Sequence, residues 1–185
     1  MAHADKERWN EKYKKNTPPQ EPAKLLLDYA KLSSGTQALD LACGMGRNAK
    51  YLVEQGFKVD ALDISSVAIA SLQNLNNISA LEVDFDTYTL EKNKYDLIVC
   101  TYFLERTLFP QFQEALKENG VLVFETFLHD VDNERAPSNP AFMLQKGELE
   151  SYFEPAFVLI HMDEWWDVDF SGVKTMKASM VAKKK

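Results

Sequence analysis

Two closely spaced glycines and three carboxylates carry the strongest chemical signal in the chain. Gly44 and Gly46 stand between the apolar run Ala38-Leu39-Asp40-Leu41 and a helix-forming stretch that starts at Arg47. Glycines at a strand-to-helix turn let the backbone bend tightly and let a ligand approach the N–H groups of the helix start. Asp63 ends the next apolar run, and Asp84 or Asp86 ends the one after it. In an open α/β sheet, ligands lie at the carboxyl ends of the strands, so Asp63 falls where a ribose diol would sit. Asp84 or Asp86 would receive an adenine amine.

Two nucleoside cofactors fit this outline. Gly44-x-Gly46-x-x-Ala49 satisfies the dinucleotide fingerprint, with Asp63 on an NAD ribose, which gives an NAD-linked oxidoreductase as one reading. Asp40 opposes it, because a carboxylate just ahead of the loop adds negative charge where a pyrophosphate would lie. The second mononucleotide half is also missing. S-adenosylmethionine has no phosphate and carries a positive amino group and a positive sulfur, so the same carboxylates favour it. A third reading is a nucleoside-binding module without catalysis.

Methyl transfer from a sulfonium asks mainly for an in-line nucleophile and a dry site. No single acid–base dyad is forced, so the catalytic residue stays unassigned. Tyr13, Tyr102, Arg106, His129 and Glu164 are the candidates to contact an acceptor. Arg106 suits an anion and His129 a base, and each has the plainer alternative of an exposed or salt-bridged surface residue. Trp165 and Trp166 are open between an aromatic wall near the acceptor, edge-strand packing and a homodimer contact. His161 reads as structural. Cys43 and Cys100 read as core or pocket lining, and no metal is expected.

The elements that must position these residues follow from periodicity. Trp9 and Tyr13 share one side of a short N-terminal helix, which the segment 17–22 with its three prolines breaks. Leu25, Leu26, Tyr29 and Leu32 give the buried stripe of a second helix. From there strand and helix alternate. Strands are predicted at 38–41, 57–62, 78–83, 95–101 and 121–127. Helices are predicted at 47–55, from Ser65 or Ser66 through Leu75, and around Phe109, Phe112 and Leu116. The strand at 95–101 is apolar throughout its DLIVC run, which places it at the centre of a parallel sheet. A short helix at 146–153 precedes strands at 157–162 and 175–182, joined by a loop holding Asp167, Asp169 and Gly172. The segment 129–145 is too long for a bare connection and reads as a lid or substrate wall. The fold class is therefore α/β: a doubly wound, mostly parallel, seven-stranded Rossmann-like sheet with an antiparallel C-terminal edge strand. One domain is expected over 1–185, with 1–34 as a helical lid or cap.

Bulk composition agrees. A chain of 185 residues with 45% hydrophobic and 26% charged residues is globular rather than disordered. A net charge of -7 argues against a broad nucleic-acid footprint. No apolar run reaches a membrane span, and the N-terminus has no apolar signal region. Two cysteines cannot make a disulfide framework, so a cytoplasmic setting is expected.

The run LDLACGMGRNAKYLVEQGFKVDALDIS resembles class I S-adenosylmethionine-dependent methyltransferases, and more narrowly the tellurite-resistance methyltransferase branch with its LDLxCGxGRNxxYLxxxGxxVxAxDxS pattern. Trp9-Asn10-Glu11-Lys12-Tyr13, Phe103-Leu104-Glu105-Arg106-Thr107-Leu108-Phe109-Pro110 and the segment from Asn139 to Leu149 are similar to that branch as well. The resemblance covers nearly the whole chain. It implies S-adenosylmethionine as cofactor and a small-molecule acceptor. It also implies that Asp40, Gly44 and Gly46 frame the methionine end, that Arg47 is among the cofactor-binding residues, that Asp63 binds the ribose and that Ile64 packs on the adenine. Asp84 and Phe85 would border the adenine, and Cys100, Thr101 and Tyr102 would line the pocket. Asn48 stands where many relatives have a third glycine. No Asp/Asn-Pro-Pro-Tyr/Phe motif follows the fourth strand, which argues against an amino-methylating nucleic-acid enzyme.

Overall fold

A computed structural model describes residues 2–16 and 18–185. Helix α1 (Ala2–Lys15) and α2 (Lys24–Tyr29) precede β1 (Gln37–Leu41), α3 (Arg47–Glu54), β2 (Lys58–Asp63), α4 (Ser66–Leu72), β3 (Ile78–Glu82) and β4 (Tyr95–Thr101). Then come α5 (Phe109–Ala115), β5 (Leu116–Phe127), α6 (Glu148–Phe153), β6 (Phe157–Val168) and β7 (Lys174–Lys184). The seven strands form one sheet in the order β3-β2-β1-β4-β5-β7-β6. Strands β1 to β5 pair in parallel, whereas β7 pairs antiparallel with both β5 and β6.

Alternation along the strands explains the two cores. Leu39, Leu41, Ile98, Cys100, Leu122 and Phe124 face one layer of helices, and Ala38, Val59, Leu97, Val99, Val121 and Val123 face the other. Strand β4 sits between β1 and β5, as its apolar run predicted. The chain leaves β1 toward β2 on one side and reaches β4 on the other. A crevice must therefore open where the carboxyl ends of β1 and β4 diverge.

The C-terminal hairpin is longer than the residue pattern indicated. Strand β6 runs to Val168, so Asp167 lies in a strand. The turn is tied off by Asp169, whose carboxylate accepts from the Ser171 and Val173 N–H groups, with Gly172 at φ 84. Strand β7 lies inside the sheet and β6 forms its edge. Two expected core positions are exposed. Helix α4 stops at Leu72, which leaves Leu75 outside, and a tightened turn at Ala30–Leu32 rotates Leu32 outward. No helix among the described residues is long and apolar enough to cross a membrane.

Candidate active site

The glycine loop leaves β1 through three residues with positive φ: Ala42, Gly44 and Gly46. Gly46 opens α3 at φ 76 and has no side chain to cap it. Asp40 does that work from β1. Its Oδ2 accepts the Ala49 N–H at 2.9 Å, and the side chain is almost fully buried. Asp63 fastens the same loop from β2. One oxygen accepts the Gly44 N–H and the other the Ser65 N–H, both at 2.8 Å. Each carboxylate oxygen has a second lone pair, so Asp63 keeps the capacity to accept from a ligand's hydroxyls. A methyl group built on Gly46 would lie 2.5 Å from Leu72 Cδ2, so the second glycine lets α4 close on the loop.

Burial sets the electrostatics of this half. Desolvation, with the Asp63 charge adding to it, pushes Asp40 up to about 7 despite the Ala49 hydrogen bond. Asp63 is also pushed up by burial, against its hydrogen bonds from Ser65, Gly44 and Ile64. Two inward carboxylates held close together disfavour further negative charge and favour a cation.

Helix α1 lies over the loop. Its Asn10 side chain accepts from Ser65 Oγ at 2.7 Å and from the Val67 N–H at 3.2 Å, at the start of α4. Lys6 pairs with Glu82 at the end of β3. One turn further on, the Tyr13 hydroxyl reaches so close to the loop that a Cβ on Gly44 would stand 2.7 Å from it. Burial, then the charge of Asp63, raises the Tyr13 phenol well above its ordinary range. Trp9 stacks on Tyr13 at 5.6 Å and holds its ring.

A second polar group lies where the carboxyl ends of β4 and β5 meet the amino-terminal part of the antiparallel β7. Tyr102 follows β4 with φ 59, a conformation that a bulky residue adopts only when its surroundings enforce it. Its hydroxyl donates to Glu125 Oε1 at 2.5 Å and accepts from Lys177 Nζ at 3.0 Å. Lys177 also pairs with Asp167 at 2.6 Å. Arg47, the first residue of α3, sets its guanidinium 5.6 Å from the Tyr102 ring centre and donates to the Glu21 carbonyl. Arg47 thus joins the glycine loop to this second group and does not enter the loop itself. Asn48 makes the same connection underneath. It accepts from the Ala23 N–H at 2.9 Å and donates to Thr101 Oγ1 at 3.1 Å.

Several expected contact residues are placed elsewhere. Arg106 has four of its five N–H donors engaged, two with Glu148 and one each with the Ala141 and Met143 carbonyls. It clamps the segment before α6 to the turn after β4, which is the salt-bridged alternative of its two readings. Asn133 and Arg135 stitch the other end of that segment to β7 through Met176 and Thr175, so 129–145 is a fastened wall. His129 is exposed beside the Leu128–Leu144 bridge. Glu164 accepts the Gly147 N–H at the start of α6. Phe85 turns into the core against Phe103 at 5.2 Å, and Cys100 is buried with its thiol pushed up by desolvation. Both pack in the core beneath the crevice. Asp84 closes its own turn by accepting the Asp86 N–H. Trp166 carries Lys174 on its ring face at 4.8 Å and His161 bonds Ser179, so both belong to the hairpin.

Glu125, Lys177 and Asn48 were not singled out by the residue pattern. Glu125 and Lys177 become a site only through strand pairing, since β7 pairs Ser179 with Glu125 and Lys177 with Phe127. Asn48 carried a signal in its departure from glycine.

A family model for the tellurite resistance protein TehB matches residues 1–169. The chain is similar to the probable S-adenosyl-L-methionine-dependent methyltransferase TehB of Haemophilus influenzae. The two are 32% identical over 177 residues, which cover 86% of this chain and 61% of that protein. The crystal structure of TehB from H. influenzae matches with a TM-score of 0.74 at 28% identity, over 86% of this chain and 61% of the other. A SAM-dependent methyltransferase from Archaeoglobus fulgidus shares the fold, with a TM-score of 0.68 at 15% identity over 86% of this chain and 91% of that one. The chain thus spans 61% of the length of the TehB relatives.

Proposed function

The chain belongs to the tellurite resistance protein TehB family, and we propose that it transfers the methyl group of S-adenosylmethionine to a small-molecule acceptor. The observation that carries this reading is the pair of buried carboxylates, Asp40 and Asp63, converging on a positive-φ glycine loop beneath Tyr13. That loop repels a pyrophosphate and accommodates a nucleoside with a cationic end. The cofactor, when bound, supplies a methyl group already activated on a sulfonium.

The protein's own residues bind, orient and shield. Asp63 presents its remaining lone pairs to the ribose hydroxyls. Asp40 fixes α3 and supplies negative charge toward the methionine amine. Ile64 and Asp84 border the adenine at the ends of β2 and β3. Tyr13 and α1 cover the loop and exclude water, which strengthens each of these electrostatic contacts. The acceptor enters from the β4–β5–β7 side, where Tyr102 is half-exposed.

Calorimetry with S-adenosylhomocysteine and NAD tests the reading. S-adenosylhomocysteine binds and NAD does not. Tight NAD binding without S-adenosylhomocysteine heat overturns it. Labelled S-adenosylmethionine with a panel of thiol, hydroxyl, amine and oxyanion acceptors then identifies the acceptor class. Binding without transfer to any of them moves the protein to a non-catalytic nucleoside binder.

A further inference from the structure

We propose that Tyr102, Glu125 and Lys177 form a proton-accepting relay for a neutral, protic acceptor such as a thiol or hydroxyl. The proposal rests on the methyltransferase reading. It goes beyond that reading by naming the acceptor's chemistry and the residues that receive its proton.

The geometry has the parts of a relay in series. Glu125 is a buried carboxylate, at 8% exposure. Its bond runs to the Tyr102 hydroxyl, and Tyr102 is 36% exposed at the crevice. The phenol oxygen thus links the crevice to the Glu125 carboxylate. Lys177 donates to that same oxygen, which stabilises it as it gives up its own proton. The groups facing Tyr102 are Glu125 on β5, Lys177 on β7 and Arg47 on α3, with Asp167 of β6 behind Lys177. Two cations flank the ring and one carboxylate faces its hydroxyl. Burial, and then the Glu125 charge, raises the Tyr102 phenol, so it is protonated at rest and poised as a donor to Glu125. Burial pulls Lys177 down, but its bonds to Asp167 and Tyr102 more than offset this and keep it cationic. The left-handed backbone at Tyr102 aims the ring out of the strand line toward Arg47. Strain of this kind is held where a side chain must be presented.

The acceptor's proton passes to Tyr102 Oη as the acceptor gains the methyl group. The Tyr102 proton passes to Glu125 Oε1. The electron pair of the broken carbon–sulfur bond stays on sulfur. Glu125 afterwards returns its proton to solvent by the same path. Tyr102 touches the acceptor, and Glu125 and Lys177 act through it as positioning residues.

The test uses Glu125→Gln and Tyr102→Phe in the full chain. The probes are 2-mercaptoethanol and catechol as protic acceptors, and sodium selenite, whose selenium lone pair carries no proton. Wild type methylates at least one protic probe. At about pH 7 both variants lose roughly tenfold to a hundredfold in turnover of that probe, while S-adenosylhomocysteine affinity stays within about twofold. The deficit narrows above about pH 9, where the probe ionises unaided. A second readout needs neither cofactor nor acceptor. In ultraviolet difference titration, removing the Glu125 charge lowers the pH at which one tyrosine ionises, and that step is absent in Tyr102→Phe. Transfer only to selenite, equal turnover in the variants, or an unmoved tyrosine titration overturns the relay. So does S-adenosylhomocysteine binding with no protic probe turned over. Absence of S-adenosylhomocysteine binding in wild type instead overturns the underlying methyltransferase reading.

Discussion

The two ends of the crevice are assembled differently. Around β1 and β2, the contacts join residues near in sequence. Asp40 and Ala49 are 9 positions apart, and Asp63 and Gly44 are 19. Around β4, β5 and β7, Tyr102 and Glu125 are 23 apart, and Tyr102 and Lys177 are 75. The first half is a local loop braced by two carboxylates, with a helix laid over it. The second is a long-range hydrogen-bond chain that exists only once β7 inserts antiparallel beside β5. The local half suits a fixed cofactor, and the long-range half can change with any substitution on three strands. A functional division follows: substitutions at the first should change cofactor affinity, and those at the second should change turnover.

The largest expected break in that division is Asp63→Ala. It removes two charge-assisted anchors of the glycine loop together with the proposed ribose acceptor. Each hydrogen bond to a charged group contributes about 1.5–3 kcal/mol, so S-adenosylhomocysteine affinity should fall by at least about 100-fold. Asp63→Asn retains one acceptor oxygen and should lose less. A dissociation constant within threefold of wild type for Asp63→Ala, measured by calorimetry, would falsify the role given to this half.

The same contrast explains what could be seen in the sequence. The strand–glycine–helix run, Asp63 at the end of its strand and the alternation of parallel strands with helices were legible, because each depends on local spacing and on the hydrophobic period. Trp9 and Tyr13 were legible as one side of an N-terminal helix from their spacing. Glu125 and Lys177 were not. Glu125 sits in the apolar run of β5, where periodicity marks only that it faces a core, and Lys177 looks like one more cation in a lysine-rich tail. Their meaning depends on register, and the β5–β7 register could not be read without knowing that β7 enters inside β6. Arg106 stayed open between two roles for the reverse reason. Its position at a strand end suggested ligand binding, but Glu148 and two carbonyls from distant sequence occupy its fork.

The next test concerns how α1 seats on the loop. In Gly44→Ala the new Cβ meets the Tyr13 hydroxyl at 2.7 Å, and the backbone there has φ 53. We expect about a tenfold loss of S-adenosylhomocysteine affinity. Adding Tyr13→Phe removes the clashing oxygen and should restore part of it. Such non-additivity marks direct contact, whereas additive losses in the double-variant cycle would show that Tyr13 does not cover Gly44.

Charge sharpens the comparison further, because the two halves titrate in different ranges. Burial raises Asp40 from 3.8 to about 7. The folded protein therefore holds this proton more tightly than the unfolded chain. In the cofactor-free protein, this contribution is fully present below about pH 4 and is lost as the pH rises toward 7. The measurement is the difference in unfolding free energy between wild type and Asp40→Asn across that window. A difference that moves the other way, with wild type gaining stability as pH rises, contradicts the assignment. Binding a ligand with a cationic amine favours ionised Asp40. S-adenosylhomocysteine affinity should then rise with pH up to about 7, by at most about tenfold per unit. Calorimetry in two buffers of different ionisation enthalpy should register proton release, and proton uptake would contradict the placement of the amine near Asp40.

The smallest expected effect separates holding a lid from making a site. Asn10 touches neither the glycines nor the proposed ligand. Its carbonyl oxygen instead accepts from Ser65 Oγ and the Val67 N–H, at the first turn of α4. Ser65 itself caps α4 through Ala68, so the helix keeps one cap without Asn10. Asn10→Ala should therefore cost about 1 kcal/mol or less in stability, in the range of a helix-cap loss. Because α1 is tied to α4 here and to β3 through Lys6–Glu82, the loosened helix should also admit water to the loop. S-adenosylhomocysteine should dissociate a few-fold faster, with its association rate unchanged. Stopped-flow fluorescence reports that rate through Trp9, which stacks on Tyr13 in the same helix, once Trp165 and Trp166 are replaced by Phe. If dissociation is unchanged while stability falls, α1 braces α4 and does not close over the cofactor. The exclusion of water would then have to come from the β4–β5–β7 side.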